Sequence, residues 1–349
     1  MCNHLSTKEQ AGLLVTLYKN ILGSLQKELR GLQCSNENYI IRILILKSGI
    51  RGIDMSNYIL SCCSTADLEK QHFIDKDIHY ICFHYELGGV QYTDDLGESM
   101  PFDKFYQAMV DGADTKTSQI NASEFEEYFE PFLKEGKDIL HLTLSSGISG
   151  VLNSAMIAKD ILEEKYPERK IYIVDSLCAA SGYGLLMDKL ADLRNSGMSI
   201  DELYAWANEN KGKLQHWFFS SDLTFFVKGG RISKTSGFMG NLLSICPLLN
   251  VNNEGKLIPR YKIRTKRKVI DAIVKQMEEL ADGKTSYCGK CYVSHSACFD
   301  DARAVADLVE KRFPELDGKV EIKNIGTTIG SHTGPGTVAL FFWGDERTE

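Results

Sequence analysis

The chain has 349 residues, a length that favours two domains, and its 43% hydrophobic and 25% charged content is ordinary for a globular protein. Its net charge of -7 excludes broad binding to nucleic acid or to anionic membrane surfaces, because both would repel it. No run of about eighteen apolar residues is present, and the N-terminus lacks the pattern of a secretory signal. We therefore expect no stable membrane insertion and a cytoplasmic location.

Residues 1–54 differ from the rest of the chain, with a helical pattern and then the strand-like "NYIIRILILKSG". We interpret them as an appended segment, or as an extension upstream of a true start at Met55. From residue 55 to 213, short apolar strands alternate with amphipathic helices. Strands such as "DILHLTL" and "KIYIVD" are almost continuously apolar, which is typical of a parallel sheet with helices on both faces. This pattern predicts a three-layer α/β domain with ligands at the carboxyl ends of its strands.

The pattern changes after residue 213. A glycine-rich stretch, a pair of strands rich in Lys and Arg, a long helix, a strand-helix unit and a closing strand "TVALFFWG" succeed one another. We predict a smaller α+β domain over residues 214–349. Its basic segment "KLIPRYKIRTKRK" alternates like a strand with one solvated face, and a docking patch for an acidic partner is the alternative.

Four segments place small hydroxyl residues where predicted strands or helices end: residues 63–68, 115–125, 142–155 and 330–336. In "LTLSSGISG", Ser145 and Ser146 end a strand and a helix begins at about Ser149. Hydroxyls and the free N–H groups of a helix start could bind an oxyanion, although helix capping by serine is the alternative.

Three further candidates also have more than one interpretation. Ser123 and Glu126 have the spacing of a capping box, which leaves Thr117 and Ser118 to face a ligand. Arg231 comes after a Gly-Gly bend, where a fixed guanidinium can contact a carboxylate or phosphate, or can be a surface arginine. His332 lies among glycines in "GSHTGPG" and could bind an anion, act as a base or hold a turn.

Rival motifs are weaker. A serine hydrolase needs Gly-x-Ser-x-Gly, and "GISGV" has valine at the last position, although Ser149 and His332 keep hydrolysis open as an alternative. A phosphate-binding Gly-x-x-x-x-Gly-Lys motif is absent, and "SGYGLLMDKL" lacks the third glycine of the dinucleotide-binding motif. Zinc ligands in "CGKCYVSHSAC" are better explained as buried strand residues and a turn. We expect reduced cysteines, no metal and no cofactor.

The segments "STADL", "TSQ", "LSSGISG", "VDS", "KGGRIS" and "GSHTGPG", in this order, resemble the DegV family from residue 55 to the C-terminus. The resemblance implies a two-domain protein that holds a long-chain fatty acid in a tunnel, with its carboxylate where the domains meet. It also implies a carrier without turnover of its own, which presents the acid to an ATP-dependent fatty-acid kinase subunit and carries the acyl phosphate away. The family's head-group positions fall on Thr117, Ser118, Ser145, Ser146, Arg231 and His332. The sequence departs from the family pattern at Cys63, at Ile120 and Asn121, and at Val151 and Leu152 in "SGVLNS", and these changes leave the hydroxyls in place.

Overall fold

The computed structural model describes residues 58–233 and 245–349. The segment 1–54 lies outside these residues. The first region contains a four-stranded, fully parallel sheet of order β2-β1-β6-β7, and its two central strands are almost completely buried. Its strands are β1 Tyr58–Cys63, β2 His79–Ile81, β6 Asp138–Thr143 and β7 Ile171–Asp175. Continuous apolar runs therefore become strands buried on both faces, as the sequence predicts.

Helices pack on this sheet. The region also contains a small antiparallel sheet of order β4-β3-β5, whose strands come between β2 and β6 in the sequence. The helices of this region are α1 Lys70–Asp75, α2 Phe102–Val110, α3 Ala122–Lys134, α4 Val151–Lys165, α5 Ala180–Asn195 and α6 Ile200–Asn210. Of these, α3, α4 and α6 contact the parallel sheet, and α2 packs against the small sheet. The small sheet consists of β3 His84–Leu87, β4 Val90–Thr93 and β5 Thr115–Ser118.

The second region is built on a six-stranded sheet of order β10-β9-β8-β13-β11-β12, in which only β11 and β12 pair in parallel among the described strands. Its strands are β8 Leu214–Ser220, β9 Ile245–Val251, β10 Leu257–Arg264, β11 Tyr292–His295, β12 Glu321–Asn324 and β13 Thr337–Trp343. Its helices are α7 Thr224–Lys228, α8 Lys266–Leu280, α9 Phe299–Arg312 and α10 Thr327–Thr333. The predicted fold class, a parallel-sheet α/β region with a smaller α+β region, is confirmed.

Two local predictions are wrong, and a third point that the sequence left open can now be described. Residues 115–118 belong to one of the four hydroxyl-rich segments, which we predict to be loops, but they form the edge strand β5, because β3 offers a free edge for antiparallel pairing. The capping box of α3 uses Asn121 and Glu124 instead of Ser123 and Glu126, so the helix begins earlier than expected. The sequence left the structure around His332 open: residues 327–333 form α10, and Gly334 ends this helix at a φ of +67°.

The second region returns to pack on the first through the chain around α10. Tyr106 donates from its hydroxyl to the carbonyl of Ile325, and Thr115 Oγ1 donates to the carbonyl of Ser331. Helix α5 contacts β11 and β13 of the six-stranded sheet as well. This packing brings α10 against the small sheet, which places His332 beside Thr117. Over the described ranges, no helix combines the length and apolarity that crossing a membrane requires.

Candidate ligand-binding site

A largely apolar cavity of about 440 Å³ lies where the two regions meet. This volume is within the range of pockets that bind small organic molecules. Aromatic and aliphatic side chains from both regions form most of its wall, including Phe83, Leu144, Phe218, Phe226, Val251 and Phe341. The wall suits an apolar ligand with a small polar part.

One part of the wall is polar. Thr117, Ser118 and Gln119 come from the end of β5, Arg231 lies just after α7, and His332 lies in the last turn of α10. Four of the six residues predicted from the sequence therefore line the same cavity: Thr117, Ser118, Arg231 and His332.

The Arg231 guanidinium has hydrogen-bonding partners but no ionic one among the described residues. Nε donates to the carbonyl of Ile148 at 3.2 Å, and Nη1 donates to the carbonyl of Gly229 at 2.5 Å. No described carboxylate lies within ion-pair distance, and burial lowers the pKa of the guanidinium from its ordinary value. A half-buried positive charge at the end of an apolar cavity favours an anionic ligand group.

His332 links this arginine to Thr117. Its Nδ1 lies 3.3 Å from Arg231 Nη1, and its Nε2 lies 2.7 Å from Thr117 Oγ1. Burial, with the charge of Arg231 as the second cause, lowers the pKa of His332 to about 4, so the ring is neutral at pH 7. Arginine can only donate, so Nδ1 accepts, and the ring proton lies on Nε2 and is donated to Thr117. The Thr117 hydroxyl hydrogen then remains for an acceptor in the cavity.

Two glycines permit this arrangement. A Cβ atom at Gly229 would overlap Nδ1 of His332, and one at Gly334 would overlap the Phe225 ring. Gly334 also has a positive φ. The glycines therefore allow α7 and α10 to approach closely enough for Arg231 and His332 to meet.

The structure does not place the serine pair in the cavity wall. Ser145 is fully buried, and its hydroxyl donates to the carbonyl of Gly255 at 2.9 Å while accepting from the Gly147 N–H. Ser146 is exposed, and its N–H donates to Asp175. Ser145 thus ties the end of β6 to the loop after β9, and Ser146 lies further out.

The start of α4 borders the cavity through other residues. Ser149 and Gly150 line it, and Ser149 Oγ accepts from the N–H of Val151, the first residue of the helix. The positive end of the helix dipole is therefore directed toward the polar part of the wall. Ser146, Ser149 and Arg231 also line an adjoining, more open pocket of about 370 Å³.

Comparison with known proteins identifies the family. The profile of the family described as "Uncharacterised protein, DegV family" matches residues 63–345. The chain belongs to the DegV family. A DegV domain-containing protein of Clostridium perfringens is 38% identical over 293 residues, which cover 84% of this chain and 99% of that protein.

Solved DegV structures have the same fold. A DegV lipid-binding protein from Thermotoga maritima is 28% identical with a TM-score of 0.71, covering 83% of this chain and 99% of that one. A fatty-acid-binding DegV family protein from Streptococcus agalactiae is 26% identical, also with a TM-score of 0.71, and covers 83% and 100% of the two chains.

Two alternatives considered in the sequence analysis, a serine hydrolase and a zinc site, lack the side-chain geometry they require among the described residues of this DegV protein. Within the described residues no hydrogen bond joins Ser149 to a histidine, and both ring nitrogens of His332 are engaged elsewhere, so a hydrolytic Ser-His pair is not formed. The zinc candidates also have other environments: Cys291 is buried, and Cys298 Sγ contacts the carbonyl of Thr337. Over the same residues no group of three or more His, Cys, Asp or Glu is arranged to hold a metal ion.

Sequence reasoning missed several residues of the wall. Gln119 lines the cavity and donates to Ser154 of α4, and His216 and Thr328 line it from β8 and α10. Gln119 stands within "TSQ", so its position beside Thr117 and Ser118 was the available signal. His216 gave no such signal, because it lies in the middle of an ordinary buried strand.

Proposed function

We propose that this protein binds a long-chain fatty acid, with its hydrocarbon tail in the apolar cavity and its carboxylate beside Arg231 and Thr117. The observation that carries the proposal is the position of Arg231. It is a half-buried cation without an acidic partner among the described residues, and it borders an otherwise apolar cavity. A fatty acid offers the complementary combination of one negative charge and a long apolar chain.

The energetics favour this ligand class. Each buried methylene contributes about 0.8 kcal/mol, so a long acyl chain provides ample affinity even after ordering costs are subtracted. The carboxylate loses its water and needs hydrogen bonds and an opposite charge to compensate. Arg231 supplies the charge, and the hydroxyls of Thr117 and Ser118 supply donors, while the dipole of α4 adds a favourable field.

The roles of the six predicted residues differ in this proposal. Thr117, Ser118 and Arg231 contact the head group, and His332 positions Thr117 and Arg231 by using both ring nitrogens. Ser146 lies at the outer pocket, where it faces an entering or leaving group. Ser145 is not retained as a ligand, because its hydroxyl is already committed to Gly255.

Related proteins support the ligand class. Lipid binding is described for the Thermotoga maritima relative and fatty-acid binding for the Streptococcus agalactiae relative. Both share this fold over almost their whole length. We infer the same class of ligand here from the match between that function and the cavity.

We further propose that the protein is a carrier without turnover, which presents the carboxylate to an ATP-dependent kinase subunit. A carboxylate oxygen would attack the γ-phosphorus of ATP, the bond to the ADP oxygen would break, and an acyl phosphate would remain on the carrier. The pocket shared by Ser146, Ser149 and Arg231 supports this step, since it leaves the head group within reach of an outside group. We also propose that residues 55–213 and 214–349 are the two domains that close over the head group.

Native mass spectrometry of the gently purified protein, combined with a titration with radiolabelled oleate, tests the proposal. We expect a co-purified fatty acid and saturable oleate binding. Arg231→Ala should weaken binding by about 2 kcal/mol, roughly thirtyfold, because a charged hydrogen bond is lost. Arg303→Ala, at a partly exposed arginine of α9 outside the cavity wall, should leave binding unchanged. Equal oleate retention by Arg231→Ala and the parent protein would contradict the assignment.

The carrier role has its own test. Oleate-loaded protein should form no product with ATP alone, and should yield ADP and acyl phosphate when a bacterial fatty-acid kinase subunit is added. Release of product from an ester probe by this protein alone would instead favour the hydrolase alternative.

A further inference from the structure

Two buried carboxylates, Asp67 and Asp94, lie outside the wall of the ligand cavity and have no role in the proposed function. Asp67 comes directly after the 3-10 turn Ser64–Ala66, and Asp94 directly after β4; they are only 7% and 1% exposed. An ideal Cβ atom at Gly326 would lie 2.5 Å from Asp67 Oδ1 and 3.7 Å from Asp94 Oδ1. The two oxygens are therefore no more than about 6 Å apart.

The two carboxylates differ in how they are satisfied. Asp94 accepts hydrogen bonds from Ser64 Oγ at 3.3 Å and from Thr327 Oγ1 at 2.8 Å. Neither oxygen of Asp67 accepts a hydrogen bond of normal geometry from any described residue, and Thr65 Oγ1 in the same turn is also buried without one. Buried carboxylates without partners are costly, so Asp67 requires a ligand or a proton.

The nearby lysines do not neutralise Asp67. A small pocket of about 120 Å³ is lined by both carboxylates and by Lys70 and Lys323. Lys70 pairs with Glu98 at 2.6 Å, and Lys323 pairs with Glu321 at 2.8 Å. Among the described residues neither lysine forms an ion pair with Asp67 or Asp94.

The pKa values agree with this geometry. Burial, and then the charge of Asp94, raise the pKa of Asp67 well above its ordinary value, and the nearby Gly326 N–H offsets only part of this increase. Burial likewise raises the pKa of Asp94. An added positive charge nearby would therefore stabilise the ionised form of both carboxylates.

We propose that Asp67 and Asp94 bind a hard divalent cation, Ca²⁺ or Mg²⁺, in the small pocket beside Gly326. Two carboxylates balance the charge of such an ion, and oxygen ligands are those it prefers. The pocket leaves room for the waters that complete its coordination. The ion would join the Ser64–Asp67 turn to the start of α10, and thereby stabilise the helix that carries His332. With two protein carboxylates, we expect a Kd on the order of 0.1 mM.

A titration of the whole chain tests the site. Protein treated with EDTA and dialysed at pH 8 is titrated with CaCl₂ and with MgCl₂ by calorimetry, against NaCl of matched ionic strength. We expect one ion per chain, and a rise in Tm on the order of 5 °C at about 100 times the Kd. If neither ion gives saturable heat or a Tm shift up to about 10 mM, far above the expected Kd, the proposal is wrong.

A variant locates the ion. Asp67→Asn keeps the side-chain shape and removes one charge, so it should abolish the saturable heat and the Tm shift. Glu69→Gln is the matched control, because Glu69 is an exposed carboxylate that lines the same pocket. Binding retained by Asp67→Asn, or lost equally in Glu69→Gln, would place the ion elsewhere and overturn the proposal. Should Asp67→Asn fail to fold, the titration of the parent protein still decides whether an ion binds.

Discussion

Thr117 Oγ1 lies 2.7 Å from Nε2 of His332, although the two residues are 215 positions apart in the chain. This bond joins the end of β5 to the last turn of α10. Arg231 donates a hydrogen bond to Nδ1 of the ring, and this bond polarises the Nε2–H group that donates to Thr117. The histidine remains neutral. The proposed head-group site is therefore a chain of three residues, with the charge at one end and a free hydroxyl hydrogen at the other.

The first prediction concerns that hydroxyl. Thr117→Val keeps the shape of the side chain and removes the donor, so oleate affinity should fall by about 1.5 kcal/mol, or roughly tenfold. Thr117→Ser restores the hydroxyl and should bind within about threefold of the parent protein. Equilibrium binding of radiolabelled oleate measures both. Equal affinities for the valine and serine variants would show that Thr117 does not contact the head group.

The second prediction concerns the close approach of α7 and α10. Gly229 has a φ of -75°, so alanine fits its backbone, but the added Cβ atom would push the His332 ring away. We expect Gly229→Ala to lose about tenfold in oleate affinity, because the contacts of the ring with both Arg231 and Thr117 are broken. Gly212→Ala is the control, since its Cβ would meet only the exposed Glu346 side chain at 3.3 Å.

If Gly229→Ala binds oleate as well as Gly212→Ala does, the position of His332 is not important for the ligand. A thermal melt of both variants separates this effect from general destabilisation. The loss of oleate affinity in Gly229→Ala should be larger than the fraction of protein unfolded at the assay temperature, as judged from its Tm, can account for.

Much of the fold could be predicted because its strands and helices have strong local patterns. The continuous apolar runs of β6 and β7 predict buried parallel strands, and "TVALFFWG" predicts β13. By contrast, β5 has the sequence "TKTS", which carries no apolar pattern. It is a strand only because it can pair with the edge of β3, and no local property of the sequence encodes that pairing.

The candidate site likewise combines residues that could be predicted from the sequence with contacts that could not. Arg231 and His332 could be singled out because glycines beside them indicate close approach of the backbone. Ser145 and Ser146 looked equivalent in sequence, yet the carbonyl of Gly255, 110 residues away, takes the Ser145 hydroxyl. The neutral state of His332 also depends on burial and on a distant arginine, and neither can be inferred from "GSHTGPG" alone.

The third prediction concerns pH. The pKa of His332 is lowered to about 4 in the folded protein, against an ordinary value of about 6.5, so unfolding takes up a proton between these values. The parent protein should lose about 1 to 2 kcal/mol of unfolding free energy through this group as the pH falls from 7 to 5. His332→Gln lacks this contribution and should show a correspondingly flatter pH profile.

Urea unfolding at several pH values measures this difference. A bound carboxylate would raise the pKa of His332, so oleate should reduce the pH dependence of the parent protein and not of His332→Gln. Identical pH profiles for the two ligand-free proteins would mean that folding does not lower the pKa of His332.

The fourth prediction concerns the contact between the two regions at Asp188. This buried aspartate of α5 lies 3.0 Å from both His72 Nε2 and Lys76 Nζ, and it accepts a hydrogen bond from Lys290 of the second region. Burial alone would raise its pKa, but the hydrogen bond from His72 and the charge of Lys290 hold the pKa below its ordinary value. The carboxylate therefore stabilises the folded protein when ionised, and this stabilisation is lost as the pH falls below about 4.

Asp188→Asn should destabilise the protein by about 3 kcal/mol at pH 7, because Lys76 and Lys290 then lose a buried counter-charge. Asp201→Asn is the control, since its pair with Lys170 is exposed on both sides and should contribute less than about 1 kcal/mol. Urea unfolding at pH 7 and pH 3.5 compares the two variants with the parent. The Asp188→Asn deficit should shrink at the lower pH, where the parent's own carboxylate begins to be protonated on unfolding. A deficit at pH 7 no larger than that of Asp201→Asn would show that this cluster does not hold the two regions together.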